Sequence, residues 1–262
     1  MSNHVTITKT EHKNKNWASP DNYRFAQKYE TVPLCAGEVA PAMRSIPIAF
    51  LFHEGNYILT AILGLQPGEN LFISKDGNWM WGHIPSAFRA YPFSSLTTNQ
   101  GQQLLTFDED SLSESSSPPT IPFYNDRGEL NEQTAQKASF VYDRQISIMK
   151  TIDICNAIHS FDLFTPCEIE ITRGEKPILI NDIYKVDEEK LKTLEGDALA
   201  HLQQTSATAL IYAHIFSLQN INFLTKLANH RDMENDSLHN TAKDIETFFS
   251  DNDDKPIDFS FL

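Results

Sequence analysis

Cysteine is scarce in this chain, three in 262 residues, and Cys35, Cys155 and Cys167 are odd in number, widely spaced and without a CxxC pair. That excludes a disulfide framework and the ligand spacing of a structural zinc site, and it fits a reducing cytoplasm. Positive charge is scarce too: 21 Lys and Arg stand against 35 Asp and Glu, a net charge of −14. A body of that sign repels every phosphate it approaches, so nucleic acid is not an expected partner. No long apolar run is uninterrupted. The longest, residues 46–65, is broken by His53-Glu54-Gly55-Asn56, which reads as the turn of a hairpin and not as part of a transmembrane segment. Residues 1–16 are polar and lack the apolar centre of a cleavable leader, so a cytoplasmic location is expected, with signal-less export to the cell surface as the other route. Also missing are a GxSxG elbow, a GxxxxGK phosphate loop, a GxGxxG turn after a strand and an HExxH pair. No cofactor, no metal and no recognised catalytic motif is therefore expected.

What is present is unevenly distributed. Residues 107–122 carry Asp108, Glu109, Asp110 and Glu114 with no basic residue, and residues 231–262 carry nine acidic residues against three basic ones. The rest of the chain is close to neutral, so the acidity belongs to solvated segments. This divides the chain into a β-rich part (1–107), an acidic Ser/Pro-rich linker or loop (108–122), a helical part with a β-hairpin (123–231) and an acidic tail (232–262).

The first part shows extended segments at about 45–52, 56–64, 71–74, 78–82, 92–98 and 102–107, separated by HEGN, QPGEN, SKDGN and NQGQ. Connections this short demand antiparallel neighbours, a β-meander. Gly64, Gly68 and Gly77 fall in its turns, where a positive φ is needed, which gives them an architectural role. After the linker, Asn131 is placed to cap a helix to about Leu163, with Val141, Ile148, Ile152, Cys155 and His159 on one face. Two strands follow at 167–171 and 177–186, and Asp187 is placed to cap a short helix. A last long helix spans about 197–230 and is apolar nearly all round at 209–216, which marks burial on several sides. The expectation is an α+β fold: an N-terminal antiparallel meander packed on two long C-terminal helices, with the 167–186 hairpin extending or covering the sheet.

Three sets of residues invite a chemical reading. Trp79, Trp81 and His83 alternate in NWMWGH and would share one face of a strand, an aromatic platform for a sugar ring or a peptide side chain, or else a cover for the core. With Glu69, Arg89 and Tyr91 the two indoles could form a site for a polar ligand with a flat or anionic group; the competing arrangement is an internal Glu69–Arg89 salt bridge. Cys155 and His159, four apart on one helix, could act as nucleophile and base, and His214 could serve an enzyme, yet all three lie on apolar stripes where core packing is the plainer role.

Several blocks carry a family likeness: VPLCAGEVAPAMRSIPIAF, LGLQPGENLFISKDGNW, IPSAFRAYPF, and Ala209, Tyr212, Ala213, His214, Ser217, Leu218 and Asn220. In this order they resemble the bacterial SapC-like family over roughly residues 12–228, the long acidic tail being the main departure. The resemblance implies a protein of largely unassigned role from a family named for association with a surface-array layer, with no catalytic residues to carry across. With motifs of known chemistry missing and an aromatic, turn-rich sheet present, the expected function is a non-catalytic binding or accessory protein for a peptide, glycan or surface-associated pathway. The alternatives are an enzyme using His214 or Cys155/His159 and a structural subunit of a surface layer. In the tail, Asp258, Phe259, Phe261 and Leu262 join acidic and apolar groups; they read as a segment that docks into a partner protein, as an export signal, or as a terminus without a role.

Overall fold

The computed structural model describes residues 4–250 apart from 99, 114–119 and 175, with side-chain surroundings to residue 235. The tail residues Asp258, Phe259, Phe261 and Leu262 lie outside the described residues. Among those described, eleven strands form: β1 (His4–Thr6), β2 (Asn16–Ala18), β3 (Thr31–Pro33), β4 (Ile48–His53), β5 (Asn56–Ile62), β6 (Phe93–Thr97), β7 (Gln103–Asp108), β8 (Leu112–Ser113), β9 (Thr120–Pro122), β10 (Phe164–Arg173) and β11 (Lys176–Val186). The α-helices are α1 (Lys9–His12), α2 (Val39–Ala42), α3 (Ser86–Ala90), α4 (Glu132–His159), α5 (Glu188–Lys192), α6 (Gly196–Gln204), α7 (Ala207–Ser217) and α8 (Ile221–Ser250).

The fold is α+β with antiparallel sheets and two long helices, α4 of 28 residues and α8 of 30. The strands are shared among three sheets, in the orders β10-β11-β4-β5-β3, β1-β7-β6 and β8-β2-β9. The N-terminal hairpins β4–β5 and β6–β7 form where turn chemistry places them. They lie in different sheets because the chain between them, 63–92, is mostly irregular and contains α3. The 164–186 hairpin extends the central sheet through Tyr184, which pairs with Phe50. Pro166 lies inside β10, opposite Tyr184, because β10 is an edge strand on which a missing N–H costs no ladder bond.

Three local expectations fail for identifiable reasons. Segments 71–74 and 78–82 make one isolated bridge, Ile73 with Trp79, instead of strands. Phe72 O and Asn78 O still accept from Met80 and Ser74 N–H, but the ladder goes no further, because the Arg231 guanidinium takes Ile73 O and the Asn70 O before it. The helix expected over 197–230 is broken at Ser206, which is left-handed at φ 64, and again at a 3-10 turn, Leu218–Asn220. There the Asn220 amide donates to Met43 O and Ile46 O. Gly64 is not required for its φ; a Cβ there would lie 1.9 Å from Glu69 O, so the constraint is close approach.

Two hydrophobic cores result. The larger is centred on β4, β5 and α7 and the smaller on Trp17, Phe93, Phe107 and Phe123. α3 and α4 join them: Phe88 and Cys155 belong to the first, Ala90 and Val141 to the second. Within 209–216, Leu210, Ile211, Ala213 and His214 are buried, whereas Tyr212 and Phe216 face solvent. His214 is fully buried and stitches three elements together: Nδ1–H donates to Ile48 O at 2.8 Å and Nε2 accepts from Val186 N–H at 3.2 Å. Burial lowers its pKa from 6.5 to about 4.

The imidazole is thus neutral in the fold and protonated below its ordinary pKa only once the chain unfolds. Stability should be level above pH 6.5 and fall as pH drops from there toward 4, by about 2 kcal/mol at pH 5 from this residue. Denaturant unfolding of wild type and His214→Gln at both pH values checks this; equal pH slopes in the two proteins would rule it out.

Candidate functional site

The seam between the two cores holds a buried carboxylate. Residues 36–38 form a 3-10 turn leading into α2, and the Glu38 side chain folds back so that its Oε2 accepts from Cys35 N–H at 3.1 Å, closing a capping box. From the far side, the first residue of α3 reaches the same group: Ser86 N–H donates to Oε1 and Ser86 Oγ–H to Oε2, each at 2.6 Å. His83 Nε2–H adds a bond to Oε1 at 2.9 Å, and an Arg89 nitrogen lies 3.7 Å from that oxygen. Burial alone would raise the Glu38 pKa, but the hydrogen bonds from Ser86, Cys35 and His83 outweigh it and hold the group below the usual carboxylate range. Arg144 Nε–H donates to Ser86 Oγ at 3.1 Å, and Ala36 N–H to Thr151 Oγ1 at 2.8 Å, fastening both halves of the cluster to α4.

Serine, histidine and a carboxylate are thus adjacent, in an order that does not activate the serine. Both Ser86 Oγ and the imidazole point at Glu38 instead of at each other. The Ser86 oxygen also accepts from Arg144, and the residue is 4% exposed. What the cluster does is fix the chain before α3. Ser45 Oγ accepts from His83 N–H at 3.4 Å, and a Cβ on Gly82, at φ 74, would meet that oxygen at 2.0 Å. Trp79 Nε1–H donates to Trp81 O at 2.9 Å. Held at both ends, residues 81–83 form one wall of a groove of about 500 Å³ whose other wall is Pro41, Arg44 and Ser45. Trp81 is 63% exposed there.

The structure separates the residues expected to form one site. Trp79 and Trp81 do not share a face: Trp79 stacks on Phe72, centroids 5.3 Å apart, and supports the core, while Trp81 projects outward. Arg89 lies on α3, not on an extended segment, whereas Tyr91 follows the end of that helix, where the backbone turns extended (ψ 139), so the two do not alternate along one strand. Tyr91 instead stacks on Phe25 at 3.7 Å and donates to Asp108 Oδ2 at 3.0 Å. Glu69 pairs with Arg173 at 2.9 Å, and Arg173 also binds Asp232 of α8 at 2.8 Å, so the Glu69–Arg89 bridge does not form. Cys155 is fully buried, its thiol pushed up to about 12 by burial, while His159 is exposed against the Tyr57 ring. Both ring nitrogens of His214 are taken by backbone. Among the described residues no cluster of three His, Cys, Asp or Glu could hold a metal ion, and no helix is long and apolar enough to cross a membrane.

Glu38, Arg44, Ser45, Ser86 and Arg144 were not singled out by sequence reasoning, and His83 was read only as a neighbour of the two indoles. The one local signal was Glu38, three residues after Cys35, where a capping-box acid belongs.

Comparison with known proteins gives one match. A family model described as SapC covers residues 7–224. No curated protein and no solved structure matches.

Glu38→Gln should destabilise the fold by about 2–4 kcal/mol, because the amide NH2 must face donors and the buried positive groups lose their counter-charge. Thermal or denaturant unfolding measures this. A loss below about 0.5 kcal/mol, the range of an ordinary surface change, would show that the cluster does not hold the seam.

Proposed function

The chain belongs to the SapC family, and from that premise we propose that it is a non-catalytic binding or accessory protein, holding a peptide or glycan of a surface-associated pathway against Trp81. The observation that carries this reading is an exposed indole on a rigid support. Trp81 offers an open apolar plane, while the backbone beneath it is tied by Trp79, Ser45 and the His83–Glu38 bond. An aromatic side chain that is already ordered gains stacking contact without a further entropy cost, which is how such residues dominate binding surfaces. Arg44 and His83 stand on either side and supply polar contacts that orient a ring or a backbone.

The neighbouring groups favour binding over covalent chemistry. Glu38 is too weak a base and too well satisfied to take the Ser86 proton. The thiols of Cys35, Cys155 and Cys167 are all raised above their ordinary pKa, with burial the leading cause, so none is held as a thiolate.

Glycan and peptide arrays probed with the full chain identify ligands, and tryptophan fluorescence gives their affinities. Trp81→Ala is expected to weaken binding about tenfold or more, with an unchanged melting temperature because the indole is exposed. Trp79→Phe should lower the melting temperature instead. Binding indifferent to Trp81→Ala would dismiss this site.

A further inference from the structure

On the other side of α3 a second groove of about 490 Å³ opens between α4, β2 and β9. Two cations stand in its wall. Arg89 lies over the Phe140 ring at 5.3 Å, its Nε–H donating to Ile84 O at 3.1 Å and a terminal nitrogen lying 3.7 Å from Glu38. Lys137, half-buried on α4, donates to Arg89 O at 2.9 Å. Among the described residues it has no carboxylate partner, and burial followed by the Arg89 charge pushes its pKa down. Two like charges side by side, one of them desolvated, are unfavourable unless an anion joins them. In a protein of net charge −14 the lining residues include no acid.

The local balance sets the charge of the missing partner. Arg89, Lys137 and, through Ser86 on Glu38, Arg144 carry three positive charges, while Glu38 and Glu132, which accepts from the lining Gln136, carry two negative ones, which leaves one positive charge. A monoanion neutralises it; a dianion overshoots and is repelled by Glu38. The remaining walls set its shape. Ile121 and Phe140 provide an apolar surface, and Gln133 and Ser19 provide hydrogen-bonding groups at the edge. We propose that this groove is a binding site for a monocarboxylate carried on an apolar body, its oxygens meeting Lys137 and the open edge of Arg89 and its body lying against Ile121 and Phe140. Charge-assisted bonds from Lys and Arg to a carboxylate are the strong class of hydrogen bond, and a half-desolvated site strengthens them further.

The site does not depend on the Trp81 reading, and the test keeps the two apart. The full chain is titrated with benzoate, benzamide and inorganic phosphate by calorimetry and by amide chemical-shift mapping. Benzoate should bind and shift amides of residues 133–140 and 86–90, while benzamide and phosphate bind at least about tenfold more weakly, the loss of one charged hydrogen bond. Lys137→Gln should weaken benzoate by a similar factor. Gln133→Glu is the second variant: it sits exposed in the first turn of α4, where a carboxylate suits the helix, so it should keep the melting temperature and still weaken benzoate. Trp81→Ala should bind benzoate as wild type does. Phosphate binding as well as benzoate, benzoate affinity unchanged in Lys137→Gln and Gln133→Glu, or no shift of these amides by benzoate would each overturn the proposal.

Discussion

The arrangement of this protein around its seam depends on one buried charge. A carboxylate 7% exposed between two hydrophobic cores is costly unless donors replace its water, and Glu38 has Cys35 N–H, Ser86 N–H, Ser86 Oγ–H and His83 Nε2–H. Those donors come from both sides of the seam, with Ser86 48 residues further along the chain. Satisfying the charge therefore fixes how the 35–42 turn meets α3. The same bonds decide which way α3 faces, and so send Arg89 toward α4 and His83 toward Arg44. Through Arg144 and Thr151 the cluster is tied to α4, the one long helix that runs past both cores.

What was legible in the sequence was what is local. The hairpins β4–β5 and β6–β7 are written in their turn residues, and the caps of α4 and α5 in Asn131 and Asp187, whose side chains accept from Gln133 N–H and from Glu189 and Lys190 N–H. The failures are long-range. Nothing near residue 73 announces that its carbonyl will be taken by Arg231, 158 positions away, so its apolar run reads as a strand. Nothing near Ser206 announces a left-handed break, because that conformation is usually marked by Gly, Asn or Asp and the sequence places none of them there. The site divides in the same way. Trp81 stood out by composition, but its groove partners Pro41, Arg44 and Ser45 lie in another block, and Glu69 found Arg173, 104 residues on, in place of Arg89.

The scarcity of positive charge gives the few cations distinct tasks. Arg173 is held by Glu69 and Asp232 and Arg231 by two carbonyls, so both fasten α8 and the hairpin to the 69–73 turn. Burial lowers the Arg231 pKa, whereas the hydrogen bond to Asp232 raises that of Arg173, which is the pattern of one guanidinium buried among carbonyls and one paired with acids. These are structural uses in which both guanidinium groups donate to protein acceptors.

Arg44 and Lys137 are different, because neither has a carboxylate within 4 Å among the described residues, and each lines a groove. A cation left without a counter-charge in an acidic protein is stabilised least in the free state and gains most when an anionic or polar group arrives. The rigid seam increases that gain. Since Glu38 already holds residues 83–89 in place, little conformational entropy remains to be lost on binding, and the interaction energy of an arriving ligand goes into affinity instead of into ordering the protein. Flexible loops presenting the same side chains would bind more weakly with identical contacts. The buried carboxylate, although it lines neither groove, is in this sense a determinant of both: His83 on one side and Arg89 on the other both face its Oε1, at 2.9 and 3.7 Å.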